Sequence, residues 1–129
     1  MKFIPYGRQH ITEADIATVV AVLESDFLTQ GPAIEKFERA VCLETGSRFA
    51  VACSNGTTAL HLAAVAAGVG PGDTVVVPPI TFVASANCAR YNGAEVLFAD
   101  IDPATLTMSP LACRKILERC AADGCPVKA

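Results

Sequence analysis

Phe49-Ala50-Val51-Ala52-Cys53-Ser54-Asn55-Gly56-Thr57-Thr58-Ala59-Leu60-His61-Leu62-Ala63-Ala64-Val65-Ala66-Ala67 is the stretch that decides the fold. Its first five residues are a short apolar run, read as a buried strand. A small polar loop follows. Thr57 to Ala67 is rich in alanine, so as a helix it can lie close on a sheet. Downstream, Thr74-Val75-Val76-Val77 is a β-branched strand, Phe82 to Tyr91 a helix and Glu95 to Ala99 a third strand. Ser109 caps a last helix, Pro110 to Ala122, with proline at its first position. Strand and helix alternate with short connections. That pattern predicts an α/β fold of right-handed βαβ units around a mainly parallel sheet with flanking helices.

Upstream of the stretch the texture differs. Residues 1–11 read as extended, broken by Pro5 and Gly7. Thr12 caps a helix through about Ser25, with Glu13 and Asp15 in its first turn. Ile16, Val19, Val20, Leu23 and Phe27 recur at helical spacing and form an apolar face that needs something to dock on. Leu28-Thr29-Gln30-Gly31 breaks the pattern. Pro32 starts a second helix that Gly46 ends, with Ile34, Phe37 and Val41 as its expected buried stripe. The expected division is therefore 1–46, an extended segment and two helices, and 47–129, the first βαβαβ part of a larger domain.

The 129 residues carry a net charge of −3 and are 52% hydrophobic. This excludes an ordinary disordered chain. The mild acidity leaves no electrostatic footprint for nucleic acid. No run approaches the ~20 apolar residues that span a bilayer. The amino terminus lacks an apolar stretch of signal-peptide length. A cytoplasmic protein without nucleic-acid or membrane partners is expected. Six cysteines occur, with no Cys-x-x-Cys pair, and His10 and His61 lie far from any cysteine pair. The expectation is no metal site and thiols that pack as small hydrophobes.

Ligands of open parallel sheets bind beyond the carboxyl ends of the strands. Three loops are expected there: Ser54-Asn55-Gly56-Thr57-Thr58, Pro78-Pro79-Ile80-Thr81-Phe82 and Asp100-Ile101-Asp102-Pro103. The first leads into a helix amino terminus, where free N–H groups and the helix dipole favour an anion. Gly56 lets a ligand approach the backbone, and Thr57 and Thr58 add hydroxyls, a set suited to a phosphate monoester. Plain helix capping explains the same residues. The loop is not a P-loop, since no Gly-Lys-Ser/Thr follows. Gly68-x-Gly70-x-Gly72 follows a helix and precedes a strand, so it is a turn at the opposite edge. Phe82 offers an aromatic face to a planar ring, or packs as core. Asp102-Pro103 reads as a turn, and His61 as a packing or surface residue.

Phosphate donors beside an aromatic platform suit a flat, phosphorylated cofactor. The segments Tyr6-Gly7, Leu28 to Pro32, Phe37-Glu38, Ser54 to His61, Gly72-Asp73 and Pro78 to Asn87 resemble the DegT/DnrJ/EryC1/StrS group of pyridoxal-phosphate aminotransferases. These enzymes act on nucleotide-linked keto sugars. Residues 4–38 are most similar to the branch serving pseudaminic acid biosynthesis, which makes a UDP-linked 4-amino-4,6-dideoxy sugar. The resemblance implies an incomplete large domain of a fold-type-I transferase. Asn55, Gly56, Thr57 and Thr58 would hold the cofactor phosphate, and Phe82 would stack on the pyridine ring. Tyr6, Leu28 and Thr29 would line the sugar-nucleotide pocket. An amino-acid donor, typically glutamate, a nucleotide-sugar substrate and a homodimer are implied partners.

The chemistry also needs a lysine that forms a Schiff base and a carboxylate against the pyridine nitrogen. In the family these stand in Ser-x-His-x-x-Lys and Asp-x-Ala-His type motifs, expected beyond residue 129. None of Lys2, Lys36, Lys115 and Lys128 fits the motif, and Lys36 is expected on the polar side of its helix. The expected reading is a fragment, inactive alone and without a catalytic residue of its own. Two alternatives remain at this point: a relative of the family's pyridoxamine-phosphate-dependent keto-sugar dehydratases, and a truncated, non-catalytic module.

Overall fold

The computed structural model describes residues 3–5 and 7–129, which form two compact units, Met1–Ala52 and Cys53–Ala129.

In the first unit, α1 spans Glu13–Leu23 and α2 spans Pro32–Thr45. Thr12 and Asp15 cap α1 reciprocally. The Asp15 N–H donates to Thr12 Oγ1 at 3.3 Å, and the Thr12 N–H and hydroxyl each donate to Asp15 Oδ2 at 2.7 Å. Those bonds hold the Asp15 carboxyl below its ordinary 3.8, the Thr12 N–H contributing most. A carboxyl lowered on folding stabilises above its unfolded pKa, and that stabilisation is lost as pH falls through its folded value. Amide protection in α1 is therefore expected to hold above pH 3.8 and to drop as pH falls below it. Asp15→Ala should flatten that dependence, as hydrogen exchange read residue by residue would show.

Proline at the first position starts α2, and Gly46 ends it. The expected buried stripe of α2 is not buried among the described residues. Ile34 is 46% exposed and Phe37 59%, and Val41 is half-buried. The apolar face of α1 is likewise open, with Leu23 64% exposed. Lys36 is exposed. It lines a groove of about 480 Å³ with Phe27, Pro32 and Phe37. The position of an apolar residue on a helix predicts which way it faces, and burial additionally needs a neighbouring surface.

In the second unit, α3 is Gly56–Ala66, β1 Thr74–Val77, α4 Ala84–Arg90, β2 Glu95–Phe98 and α5 Pro110–Ala122. β1 and β2 pair in parallel, Thr74 opposite Glu95 through Val77 opposite Phe98. The chain's last residues run along the other edge of β1. The Thr74 N–H donates to the Pro126 carbonyl at 2.9 Å, the Lys128 N–H to the Thr74 carbonyl at 2.9 Å, and the Val76 N–H to the Ala129 carbonyl at 2.8 Å. The expected strand at Phe49–Cys53 does not form a ladder among the described residues. Phe49 and Val51 are each 79% exposed. Strand propensity describes fit to a half-buried pleated surface, and no such surface is paired with this run.

The core is small and made of short side chains. Val69, Val75, Val77, Ala89 and Ala94 cluster, with Ala64, Ala86 and Val96 against them. Alanines on α4 let it lie close on both strands, and α3 packs on α4 with Ala64 reaching the cluster. His61 of α3 meets Tyr91 edge to face at 5.4 Å between ring centroids, and its Nε2 hydrogen-bonds Asn92 Oδ1 at 3.2 Å. It is a packing residue. The two helices that lead into strands end on left-handed glycines. Gly68 (φ 70) closes α3, where the Val69 N–H donates to the Ala64 carbonyl at 3.0 Å. Gly93 (φ 78) closes α4, where the Ala94 N–H donates to the Ala89 carbonyl at 3.1 Å. In both cases the residue after the glycine is buried in the core, so the turn also aims an apolar side chain inward.

Candidate cofactor site

Chain direction sets where the site lies. The carboxyl end of α3 leads through Gly68 to the start of β1, so α3 runs antiparallel to the strands. The carboxyl end of α4 leads through Gly93 to the start of β2 in the same way. The amino termini of α3 and α4 therefore both lie at the edge beyond the strands' carboxyl ends. Thr57 and Phe82 reach that one edge from different connections. The glycine series Gly68, Gly70, Gly72 lies between α3 and β1, at the opposite edge, and the Gly70 N–H donates to Asp73 Oδ2 at 3.0 Å.

Asn55 caps α3. Its Oδ1 accepts from the Thr58 N–H at 2.9 Å and from Thr58 Oγ1 at 3.1 Å. Ser54 Oγ joins the same cluster, 3.2 Å from Thr58 Oγ1 and 3.2 Å from Asn55 Nδ2. Ser54 thus supports the cap, as its place at a helix start suggests. Its signal was a hydroxyl four residues before another at a helix start. The capping reading therefore holds for Asn55 and Thr58. It does not use up the donors. The Gly56 and Thr57 N–H groups are the first two of α3, where a helix offers no carbonyl. Thr57 Oγ1 makes no hydrogen bond among the described residues. A Cβ built on Gly56 meets nothing within 4 Å, so the space beside it is open.

Phe82 is 73% exposed and stands just before α4. Thr81 and Ser85 hold its turn with a hydroxyl–hydroxyl bond of 2.9 Å, and the Ser85 N–H donates to the Phe82 carbonyl at 3.0 Å. The aromatic face is thus presented at the edge and is not packed as core. Asp102 serves a turn, its Oδ1 accepting from the Ala104 N–H at 2.7 Å. Leu28 and Thr29 are exposed and belong to the first unit. Tyr6 lies outside the described residues.

N–H groups and a hydroxyl without partners among the described residues, an uncrowded glycine and an exposed aromatic ring make a set that fits a phosphorylated planar group. The DegT/DnrJ/EryC1/StrS aminotransferase family pattern matches residues 9–122. The chain belongs to this family. It is 41% identical over 109 residues to the spore coat polysaccharide biosynthesis protein SpsC of Bacillus subtilis (strain 168), a match covering 84% of this chain and 28% of SpsC. A putative sugar aminotransferase, Spr1654 from Streptococcus pneumoniae, in its pyridoxal-phosphate form, is 36% identical with a TM-score of 0.80. That match covers 87% of this chain and 29% of Spr1654. The same enzyme is also known in its pyridoxamine-phosphate form. The 3-amino-5-hydroxybenzoic acid synthase is 29% identical with a TM-score of 0.76, over 92% of this chain and 37% of that one. The family member described here thus spans under a third of the length of SpsC and of Spr1654. It has the α/β fold of their shared domain in part, with parallel strands. Among its described residues no helix is long and apolar enough to cross a membrane.

Proposed function

We propose that this chain is the cofactor-cradling part of a pyridoxal-phosphate enzyme. That enzyme moves an amino group from an amino acid, glutamate in our reading, to the 4-keto carbon of a nucleotide-linked 6-deoxy sugar for polysaccharide synthesis. The observation that carries the proposal is the open donor set of Gly56 and Thr57 at the same sheet edge as the exposed Phe82. The pseudaminic acid branch is the finer reading of the substrate, resting on residues 4–38. In the same reading the enzyme works in the cytoplasm as a homodimer.

Bound pyridoxal phosphate supplies an electron sink for the carbon that loses or gains the amino group. The residues of this chain do the holding. Gly56 and Thr57 N–H groups and the Thr57 hydroxyl bind the phosphate, aided by the α3 dipole. Asn55 and Ser54 fix the first turn of α3 so those donors stay aimed. Phe82 covers one ring face and excludes water from it. Leu28, Thr29 and Tyr6 are assigned to the sugar nucleotide.

The lysine of the reaction is assigned outside residues 1–129. Lys128 supports this, since its Nζ lies 3.8 Å from a Cβ placed on Gly68, at the edge opposite Thr57. Lys115 is exposed on α5. The chain alone is therefore expected to transfer no amino group. Incubation with pyridoxal phosphate, borohydride reduction and peptide mapping checks this. One stoichiometric cofactor adduct on a single lysine of this chain would refute it.

The cradle itself is tested with pyridoxamine 5′-phosphate, which has no aldehyde to react adventitiously with lysines. Phe82→Ala is expected to weaken its binding roughly three- to tenfold, the worth of one aromatic stacking contact. Binding of inorganic phosphate should be unchanged. Phosphorus NMR titration reads both, and equal losses for the two ligands would remove Phe82 from the ring-binding role.

A further inference from the structure

Two thiols at the end of α5 take no part in the cofactor reading. After α5 the chain turns on Gly124 (φ 68), and the Cys125 N–H donates to the Cys120 carbonyl at 2.8 Å. Those are the two positions whose side chains meet across such a helix end. A turn closed this tightly brings the two Cα atoms into the range a disulfide needs, about 4.4–6.8 Å. Cys120 is buried at 3% exposure and Cys125 is half-buried. Burial, and then the neighbouring Cys125 thiol, push the Cys120 thiol up. Cys125 Sγ also lies 3.0 Å from Oγ1 of Thr74, the buried first residue of β1. The pair therefore sits at the joint between α5 and the terminal segment that extends the ladder beside β1.

We propose that Cys120 and Cys125 are a redox pair that a small-molecule disulfide oxidises in the folded chain, tying the ladder segment 126–129 to α5. Cys125 is the more accessible thiol and reacts first. It gives its proton to solvent, and its thiolate attacks one sulfur of the oxidant. The S–S bond of the oxidant breaks, and one thiol departs. Cys120 then loses its proton and attacks the Cys125 sulfur of the mixed disulfide, releasing the second thiol. Two protein thiols are oxidised, one disulfide is reduced to two thiols, and no other reactant is consumed.

Trypsin cuts after Arg119 and Lys128, so both cysteines fall in one peptide. The folded chain is treated with glutathione disulfide, alkylated and digested. The expected peptide is two hydrogens lighter than its reduced form, carries no alkyl label, and takes two labels after dithiothreitol. Amide exchange at Val76 and Lys128 should slow at least threefold on oxidation, because their ladder bonds flank the staple. In Cys120→Ser, Cys125 should stop at the glutathione adduct. Two alkyl labels on the wild-type peptide, a lasting single glutathione adduct, or a disulfide formed only in urea would each overturn the proposal. Unchanged exchange would overturn the tying of 126–129. The wild-type peptide decides the matter even if Cys120→Ser does not fold.

Discussion

Gly56→Pro is expected to weaken pyridoxamine 5′-phosphate binding roughly tenfold or more while leaving the fold intact. Gly56 is the first residue of α3, a position proline favours because its ring presets the helical φ. The residue before it, Asn55, is already extended (φ −168, ψ 172), the conformation a following proline demands. A Cβ at Gly56 meets nothing within 4 Å. The substitution therefore removes one N–H and little else. A hydrogen bond to a charged acceptor contributes about 1.5–3 kcal/mol, and about 1.4 kcal/mol is tenfold in affinity. Phosphorus NMR titration gives the affinity, and thermal unfolding monitored by circular dichroism gives the control. Unchanged affinity with an unchanged melting temperature would take the α3 amino terminus out of the phosphate site.

Gly93→Ala is expected to destabilise the second unit by about 2–4 kcal/mol, combining the cost of a left-handed residue with overpacking. Gly93 has φ 78, and a Cβ there falls 3.1 Å from Cγ of Pro71 and 3.7 Å from its Cβ and Cδ. The proline ring cannot swing away as a long side chain would. The turn also delivers fully buried Ala94 to the core and sets the start of β2. A shift at Gly93 thus disturbs both the helix end and the ladder. Gly70→Ala is the matched control, because its added Cβ has open space and its φ is not left-handed. Urea unfolding of both variants checks the difference. Equal midpoints would mean the turn relaxes at little cost.

The elements whose signals are local were legible in the sequence. Thr12 and Asp15 mark the start of α1, Pro32 and Gly46 bracket α2, and Ser109-Pro110 opens α5, each through bonds or backbone constraints within a few residues. The β-branched run Thr74–Val77 reads as a strand for the same reason. The asparagine cap and the glycine of the phosphate loop were likewise visible as a helix start. What could not be read there was which donors remain free. Asn55 takes the N–H and the hydroxyl of Thr58, leaving Gly56 and Thr57. Phe49–Cys53 and the Ile34–Phe37–Val41 stripe show the other limit. Their apolar residues signal a need for burial, and nothing in a local pattern says what surface meets it.

By itself, then, the sequence determined the helices, the β-branched strand Thr74–Val77, the turn glycines and the motif segments that carry the family likeness. Those depend on dihedral preference, capping and periodicity, which act over a few neighbouring residues. Tertiary structure alone decided that β1 pairs with β2 on one side and with residues 126–129 on the other, and that Cys125 meets Thr74. Those facts come from parallel pairing and chain reversal, which bring together residues far apart in the chain.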